Sequence, residues 1–258
     1  MASSTREFAD RSVDPHVVGF LHTPETPNGD GLVLTHSAGG NAQAPLLRAL
    51  AETFATAGYT VLRCNLPFRQ VRSFGPPSPA DGVRDRVGLK NAIAALRKAM
   101  GDPVPADVAS KPALSLPKGE GFQEQSASGK YYLGGHSYGG RQASMLCAEE
   151  PGLVAGLLLL SYPLHPPRRP EQHRTQHLPD LRTPTLFVSG TRDPFGSIEE
   201  IDSARKMIPA KTILMIVEGA GHDLGIKENS NPRGLFGFIL KKLAELEQTP
   251  TPMNGAPN

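Results

Sequence analysis

The sequence predicts an α/β domain, a mostly parallel sheet with helices on both faces. Three observations predict it. Short apolar runs alternate along the chain with longer amphipathic stretches, the pattern of strands joined by crossover helices. The stretch 130–147, KYYLGGHSYGGRQASMLC, passes from an apolar run through a glycine-rich turn into an Ala/Ser/Met/Leu segment that suits a helix. With 258 residues, 38% of them hydrophobic and 20% charged, the chain can bury one sizeable core but hardly two.

Taken in order, residues 1–15 are polar and are expected to form a flexible N-terminal segment, followed by one domain over 16–248. A short strand at 17–21 ends at the Pro24, Pro27 and Gly29 turn signals. The run GLVLT at 31–35 reads as a buried strand and leads into His36, Ser37, Ala38, Gly39 and Gly40. Leu46, Leu47, Leu50 and Phe54 then recur at helical spacing, and Gly58 closes that helix before a strand at 59–65. Residues 66–79 read as a loop containing prolines and aromatics. A helix over 81–100 is expected to bury Val83, Val87, Ala94 and Leu96. Residues 101–129, rich in Pro, Ser, Gly and Lys, read as a surface insertion with local order at 107–116. Strands follow at 131–133, 157–160, 185–189 and 212–217, with a helix after the first of them running to residue 150 and further helices at 197–208 and 234–246. The segment 164–181 is polar and basic, and 249–258 is a Pro/Gly-rich flexible tail.

Composition narrows the function. Lys plus Arg number 27 against 25 Asp plus Glu, a net charge of +2 with no long basic run, so nucleic acid is not the expected partner. No apolar stretch is long enough for a membrane span. The start, MASSTREFADRSVDP, lacks a basic segment followed by an apolar secretory core. The expected compartment is the cytosol, with the nucleus open. Cys64 and Cys147 lie in apolar runs and read as free buried thiols. Eight histidines occur, but none is spaced with carboxylates as a zinc site, so no metal is expected. The glycine-rich loop after the 31–35 strand lacks G-x-G-x-x-G, which argues against a nicotinamide cofactor. No other cofactor is implied.

The chemistry centres on Gly135-His136-Ser137-Tyr138-Gly139, a G-x-S-x-G pattern between a strand and a helix. Its small residues let the turn close and lift the serine hydroxyl above the sheet edge. Ser137 is the candidate nucleophile; the plainer reading is a helix cap. Asp193 follows the 185–189 strand and His222 follows the 212–217 strand, where reactive loops collect in an open sheet. His222 would take and return a proton, and Asp193 would orient its imidazole. Asp223 competes for the acid role but is adjacent to His222 in sequence. His136, beside the nucleophile, suits a wall or structural role. The oxyanion needs two converging amides, those of Tyr138 and of Ala38, with Ser37 the other choice in the first loop. His36, Ser37, Arg63, Arg69, Arg141 and Arg192 are candidates for pocket or support. Structural pairing is favoured for the arginines, and the basic segment before Leu181 could either select an anionic substrate or be ordinary surface.

Five motifs spread over most of the chain carry a resemblance: LTHSAGG at 34–40, RCNLPFR at 63–69, GGHSYGGRQAS at 134–144, GTRDPFGS at 190–197 and GAGHDL at 219–224. Together they resemble the α/β-hydrolase superfamily, and more narrowly its KANL3/Tex30-like branch related to dienelactone hydrolases. That resemblance implies an α/β-hydrolase fold with minimal or no cap domain. It implies Ser137, Asp193 and His222 as catalytic residues and Tyr138 and Ala38 as oxyanion donors. Ser37 departs from the glycine often found after the histidine of the first loop. The expected activity is hydrolysis of a carboxylic ester of small or medium size through an acyl-enzyme, with thioesters and peptides open to the same chemistry. The second reading is a non-catalytic hydrolase-like module that binds a protein partner.

Overall fold

The computed structural model describes residues 3–103, 129–227 and 233–247. The expected insertion at 101–129 and the expected tail at 249–258 lie almost wholly or wholly outside them. Eight strands form one sheet in the order β1-β2-β4-β3-β5-β6-β7-β8. They are β1 (Ser4–Asp10), β2 (Val17–Thr23), β3 (Gly31–Thr35), β4 (Thr60–Cys64), β5 (Tyr131–His136), β6 (Gly156–Leu160), β7 (Thr185–Gly190) and β8 (Thr212–Val217). From β4 onward across the sheet every pairing is parallel, while β2 runs antiparallel to both β1 and β4.

The first strand corrects an expectation. Residues 4–10 are not a loose segment: they pair along their full length with β2, from Ser4 opposite Thr23 to Asp10 opposite Val17. β1 is an edge strand, exposed over most of its length, so it needs no apolar run and leaves none in the sequence.

Helices α1 (Pro45–Thr56) and α6 (Arg233–Glu247) cover one face; α3 (Asp81–Met100) and α4 (Tyr138–Glu149) cover the other. The central strands are buried on both faces, and successive residues feed opposite layers. Leu32 and Leu34 meet Leu47, Leu50 and Phe54 under α1, whereas Val33 faces Leu89 and Leu96 of α3. This two-sided burial explains why β3, β6 and β7 read as continuous apolar runs. Cys64 and Cys147 are buried free thiols, and burial pushes both up to about 12.

In α3 the buried face differs from the one expected. Val83 and Val87 point to solvent, 65% and 42% exposed. The inward face carries Asp85, Leu89, Ala92, Ile93 and Leu96. A carboxylate on the buried stripe shifts the apparent apolar period, and Asp85 belongs to the site described below. A short helix α2 (Pro67–Val71) interrupts the expected 66–79 loop, and α5 (Ile198–Arg205) starts with a capping box between Ser197 and Glu200. No described helix is long and apolar enough to cross a membrane.

Candidate active site

Ser137 sits between β5 and α4 with φ 53° and ψ −116°, a conformation that costs a non-glycine residue energy and needs the surroundings to hold it. The glycines on either side supply that restraint. A Cβ on Gly135 would stand 2.4 Å from the Gly140 amide nitrogen, and one on Gly140 would stand 2.7 Å from the Gly135 carbonyl oxygen. Strand and helix therefore touch backbone to backbone. The Ser137 amide donates to the Leu160 carbonyl at 2.8 Å, tying the turn to β6.

The loop after β8 brings His222 over this turn, and the loop after β7 brings Asp193 behind it. Ser137 Oγ donates to His222 Nε2 at 2.8 Å. His222 Nδ1 donates to the Asp193 carboxylate, 2.9 Å from Oδ2 and 3.0 Å from Oδ1. Asp193 also accepts the Phe195 amide at 2.9 Å, and its side chain is 3% exposed against 22% for His222. The buried carboxylate thus has its lone pairs occupied. Phe195 stacks on the His222 ring at 4.1 Å, fixing it from the other side. Asp223 is not in this chain of bonds; it accepts the Gly225 amide.

His136 diverges from the serine. It donates from Nε2 to the His222 carbonyl at 2.7 Å, and burial lowers its pKa to about 4, so it is a neutral strut under the His222 loop.

The 36–40 loop closes the opposite wall. A Cβ on Gly139 would lie 2.5 Å from the His36 carbonyl oxygen, so the helix start packs directly against this loop. His36 is fully buried. It donates from Nδ1 to the Ser37 carbonyl at 2.8 Å and accepts the Leu66 amide at Nε2, 3.0 Å. Burial lowers its pKa to about 4, with the Arg69 charge acting in the same direction. Arg69, 7% exposed, donates to the carbonyls of Ala38 at 2.7 Å, Gly40 at 2.8 Å, Gly75 at 2.9 Å and Arg72 at 3.2 Å. Its planar fork spans two loops, which a lysine could not do.

Ala38, Gly39, Ser37, Tyr138, Ser137 and His222 all line one cavity of about 550 Å³. The Tyr138 amide opens α4, so it has no carbonyl a turn earlier within the helix. Tyr138 and Ala38 both belong to the residues that line the cavity with Ser137. The set can transfer a proton from a hydroxyl to an imidazole backed by a carboxylate, which turns the hydroxyl into a nucleophile.

The other arginines divide. Arg63 lies on β4, donating from Nε to His22 at 2.8 Å and from Nη1 to the Ala42 carbonyl; it supports the sheet and does not line the cavity. Arg192 is exposed and does not line it either. The bonds of Arg63 are structural, as expected, whereas among the described residues Arg192 forms no side-chain ion pair. Arg141 does line the cavity, and so does Arg174 from the basic segment. Among the described residues no three histidine, cysteine or acidic side chains are grouped to hold a metal ion.

Asp85 and Phe195 were not legible as site residues, and Arg174 was legible only as part of the basic segment that could select an anionic substrate. Asp85 is completely buried, accepting the Tyr138 hydroxyl at 2.7 Å and the Phe68 amide at 3.0 Å. Burial raises its pKa. It locks the residue after Ser137 to α2 and α3. The only sequence signal was a charge on a helical stripe that otherwise alternates with apolar residues.

A family model described as an alpha/beta hydrolase domain matches residues 116–234. A dienelactone hydrolase from Anabaena variabilis superposes with a TM-score of 0.64 at 19% identity, over 95% of this chain and 97% of that one. An α/β serine hydrolase without a lid from Xanthomonas campestris gives 0.63 at 15% identity, over 97% and 98%. Est1E from Butyrivibrio proteoclasticus gives 0.57 at 16%, over 95% and 100%. With the sheet order, the nucleophile-type turn at the end of β5 and these superpositions, the chain has the α/β-hydrolase fold.

Proposed function

We propose that this protein is a cofactor-independent serine hydrolase acting on a carboxylic ester, with Ser137 as nucleophile, His222 as general base and acid, and Asp193 as the group that orients and stabilises the imidazolium. The observation that carries the reading is the continuous chain Asp193, His222, Ser137, with hydrogen bonds of 2.9 Å and 2.8 Å opening onto a cavity. Ser137 Oγ attacks the ester carbonyl while His222 Nε2 takes its proton. The amides of Tyr138 and Ala38 stabilise the oxyanion. Collapse expels the alcohol, which leaves with the proton from His222, and the acyl group stays on Ser137. Water, deprotonated by His222, then releases the carboxylic acid and restores the serine.

A cavity of about 550 Å³ is within the usual range for small ligands, which supports a substrate of small or medium size. Within the fold we place the chain with the KANL3/Tex30-like, dienelactone-hydrolase-related branch, on the arginine-containing versions of its motifs. Thioesters and peptides would pass through the same steps and belong in the first substrate screen.

The test is covalent labelling with a small fluorophosphonate followed by peptide mass mapping. Labelling at Ser137, absent from Ser137→Ala and slowed about 1,000-fold or more in folded His222→Ala, is expected. If folded wild-type protein resists probes of several sizes, the hydrolase reading is lost and the non-catalytic, partner-binding reading takes its place.

A further inference from the structure

The two edges of the sheet are finished differently. β1, at one end, carries Arg6, Glu7 and Asp10 and is exposed along most of its length, the charged finish that keeps an edge strand from pairing with another chain. β8, at the other end, reads TILMIV. It holds no charge and no proline, and among the described residues no strand lies on its outer side. Leu214 packs on one core layer and Ile213, Met215 and Val217 pack on the other, so both faces of β8 serve the fold. What its outer side presents is backbone.

The register says which groups these are. The Lys211 carbonyl accepts the Thr185 amide at 2.9 Å, and the Val217 carbonyl accepts the Thr191 amide at 3.2 Å. Odd-numbered residues of β8 therefore turn their backbone groups toward β7, while Thr212, Leu214 and Ile216 turn theirs away from it. Exposed apolar side chains flank that row: Ile216 on β8 itself, Met207 just after α5 and Phe238 on α6, with both helices lying against β8. The chain's own remaining stretches are poor material for one more strand. Residues 248–258 contain Pro250, Pro252 and Pro257, and 228–232 read ENSNP; proline lacks the amide that a ladder needs.

We infer that the occupant is a second copy of this chain, and that the protein is a homodimer joined edge to edge through antiparallel β8 strands about a two-fold axis at Leu214. In that register Leu214 faces the partner's Leu214 and Thr212 faces the partner's Ile216. At each of these positions both residues present an N–H and a C=O, so every outward group of the strand is paired. The Lys211 end of one strand comes beside the Glu218 end of the other, whereas parallel pairing would bring like charges together. The contact is isologous and closes on itself. The outer edges of the pair are then two charged β1 strands, so assembly stops at two. β8 leads into the loop that carries His222, and the pairing steadies the strand from which that loop hangs. Nothing in it depends on the hydrolase reading.

The test is sedimentation equilibrium of the full chain over about 1 to 100 μM, where twice the 27.5 kDa of one chain is expected. Ile216→Lys sets a charge on the edge opposite the partner's Thr212. Ile216→Pro removes an outward N–H that lies on the side of the strand where an edge admits proline. Each is expected to weaken dimerisation about ten-fold or more. Val83→Lys, at an exposed apolar position on α3, is expected to leave it unchanged. Hydrogen exchange on wild-type protein reads the same contact should neither Ile216 variant fold. The Leu214 and Ile216 amides are expected to exchange about ten-fold or more slowly in the dimer than after dilution to monomer. A monomer throughout the range overturns the inference, as does a dimer that both folded Ile216 variants leave intact or that Val83→Lys weakens as much. So does fast exchange of those two amides in the dimer, or slow exchange in a monomer, which would mean that another segment of the same chain covers β8.

Discussion

The two walls of the site are held by different means. The serine turn, 134–140, is built by closeness along the chain: Gly135 and Gly140 touch backbone to backbone, leaving no room for a Cβ at 2.4 Å and 2.7 Å. The facing loop, 36–40, is built by side chains that arrive from far along the sequence. Arg69 binds the carbonyls of Ala38 and Gly40 across 31 and 29 residues, Asn65 accepts the Ala42 amide across 23, and His36 reaches the Leu66 amide across 30. The first wall has no adjustable part, so a substitution there breaks it outright. The second is a set of hydrogen bonds that can be weakened one at a time.

Gly139 is where the walls meet, and it offers the hardest test of the contrast. Gly139→Ala puts a Cβ within 2.5 Å of the His36 carbonyl oxygen and 2.7 Å from Thr35 Cγ2. Two backbones must separate to admit it. The expected loss is about 2–4 kcal/mol of stability, in the range of strain and overpacking in a core, measured by denaturant unfolding, with fluorophosphonate labelling of Ser137 lost in what remains folded. A variant that melted and reacted like wild type would show that the contact is soft and that the two walls do not differ in kind.

Arg69 tests the adjustable wall. Arg69→Lys keeps the charge but cannot span the four carbonyls, so the loop that carries the Ala38 amide loses its anchors at the Ala38 and Gly40 carbonyls. Removal of a whole oxyanion donor costs about 100- to 1,000-fold in kcat; misdirecting one is expected to cost about ten-fold or somewhat more, read as a fall in kcat at little change in KM. A change confined to KM would instead mean that Arg69 shapes substrate binding. Tyr138→Phe, on the rigid wall, removes only the bond to Asp85 and should leave kcat less affected than Arg69→Lys does.

Acid separates the walls more gently. Each contains a neutral histidine, the buried His36 in the loop and the half-buried His136 in the turn, both with pKa lowered to about 4 by loss of solvent. A histidine whose folded pKa lies below its unfolded value near 6.5 binds its proton first in the unfolded chain. Stability therefore falls as pH drops from about 6.5 toward 4 and this contribution levels off below 4. His22 and His177, also lowered to about 4, add to the same slope. The two site histidines should respond differently. Protonation of His36 at Nε2 destroys its bond from the Leu66 amide, while His136 can gain a proton at its other nitrogen and still donate from Nε2 to the His222 carbonyl. His36→Gln is expected to flatten the decline in melting temperature between pH 6.5 and 4 more than His136→Gln does. An equal or reversed effect would mean that the loop is not the acid-labile wall.

This contrast also explains what could be read without coordinates. Strands β2 to β7 were legible because central strands carry apolar runs bounded by glycine and proline, and the opposite edge strand β8 was legible because Ile213, Met215 and Val217 pack against the core beside α6. Strand β1 was not, since an edge strand of the pattern exposed at most positions satisfies its hydrogen bonds on one side without burying side chains. The inward face of α3 was misread for a different reason: Asp85 occupies a buried position where periodicity looks for an apolar residue, and only Tyr138 and the Phe68 amide make that burial tolerable.

The sequence by itself determined the alternation of strands and helices, the glycine turn around Ser137, and the placement of Asp193 and His222 after successive strands. Each of these is a local pattern, set by spacing, by propensity or by residues that must lack a side chain. Only the tertiary structure decided the rest: that Ser137, His222 and Asp193 lie within hydrogen-bonding distance, that Arg69 reaches the 36–40 loop while Arg63 serves the sheet, and that Arg141 and Arg174 line the same cavity as Ser137. An arginine's sequence neighbours do not say which of several loops its long side chain will reach, because that choice is made by the packing of elements far apart in the chain.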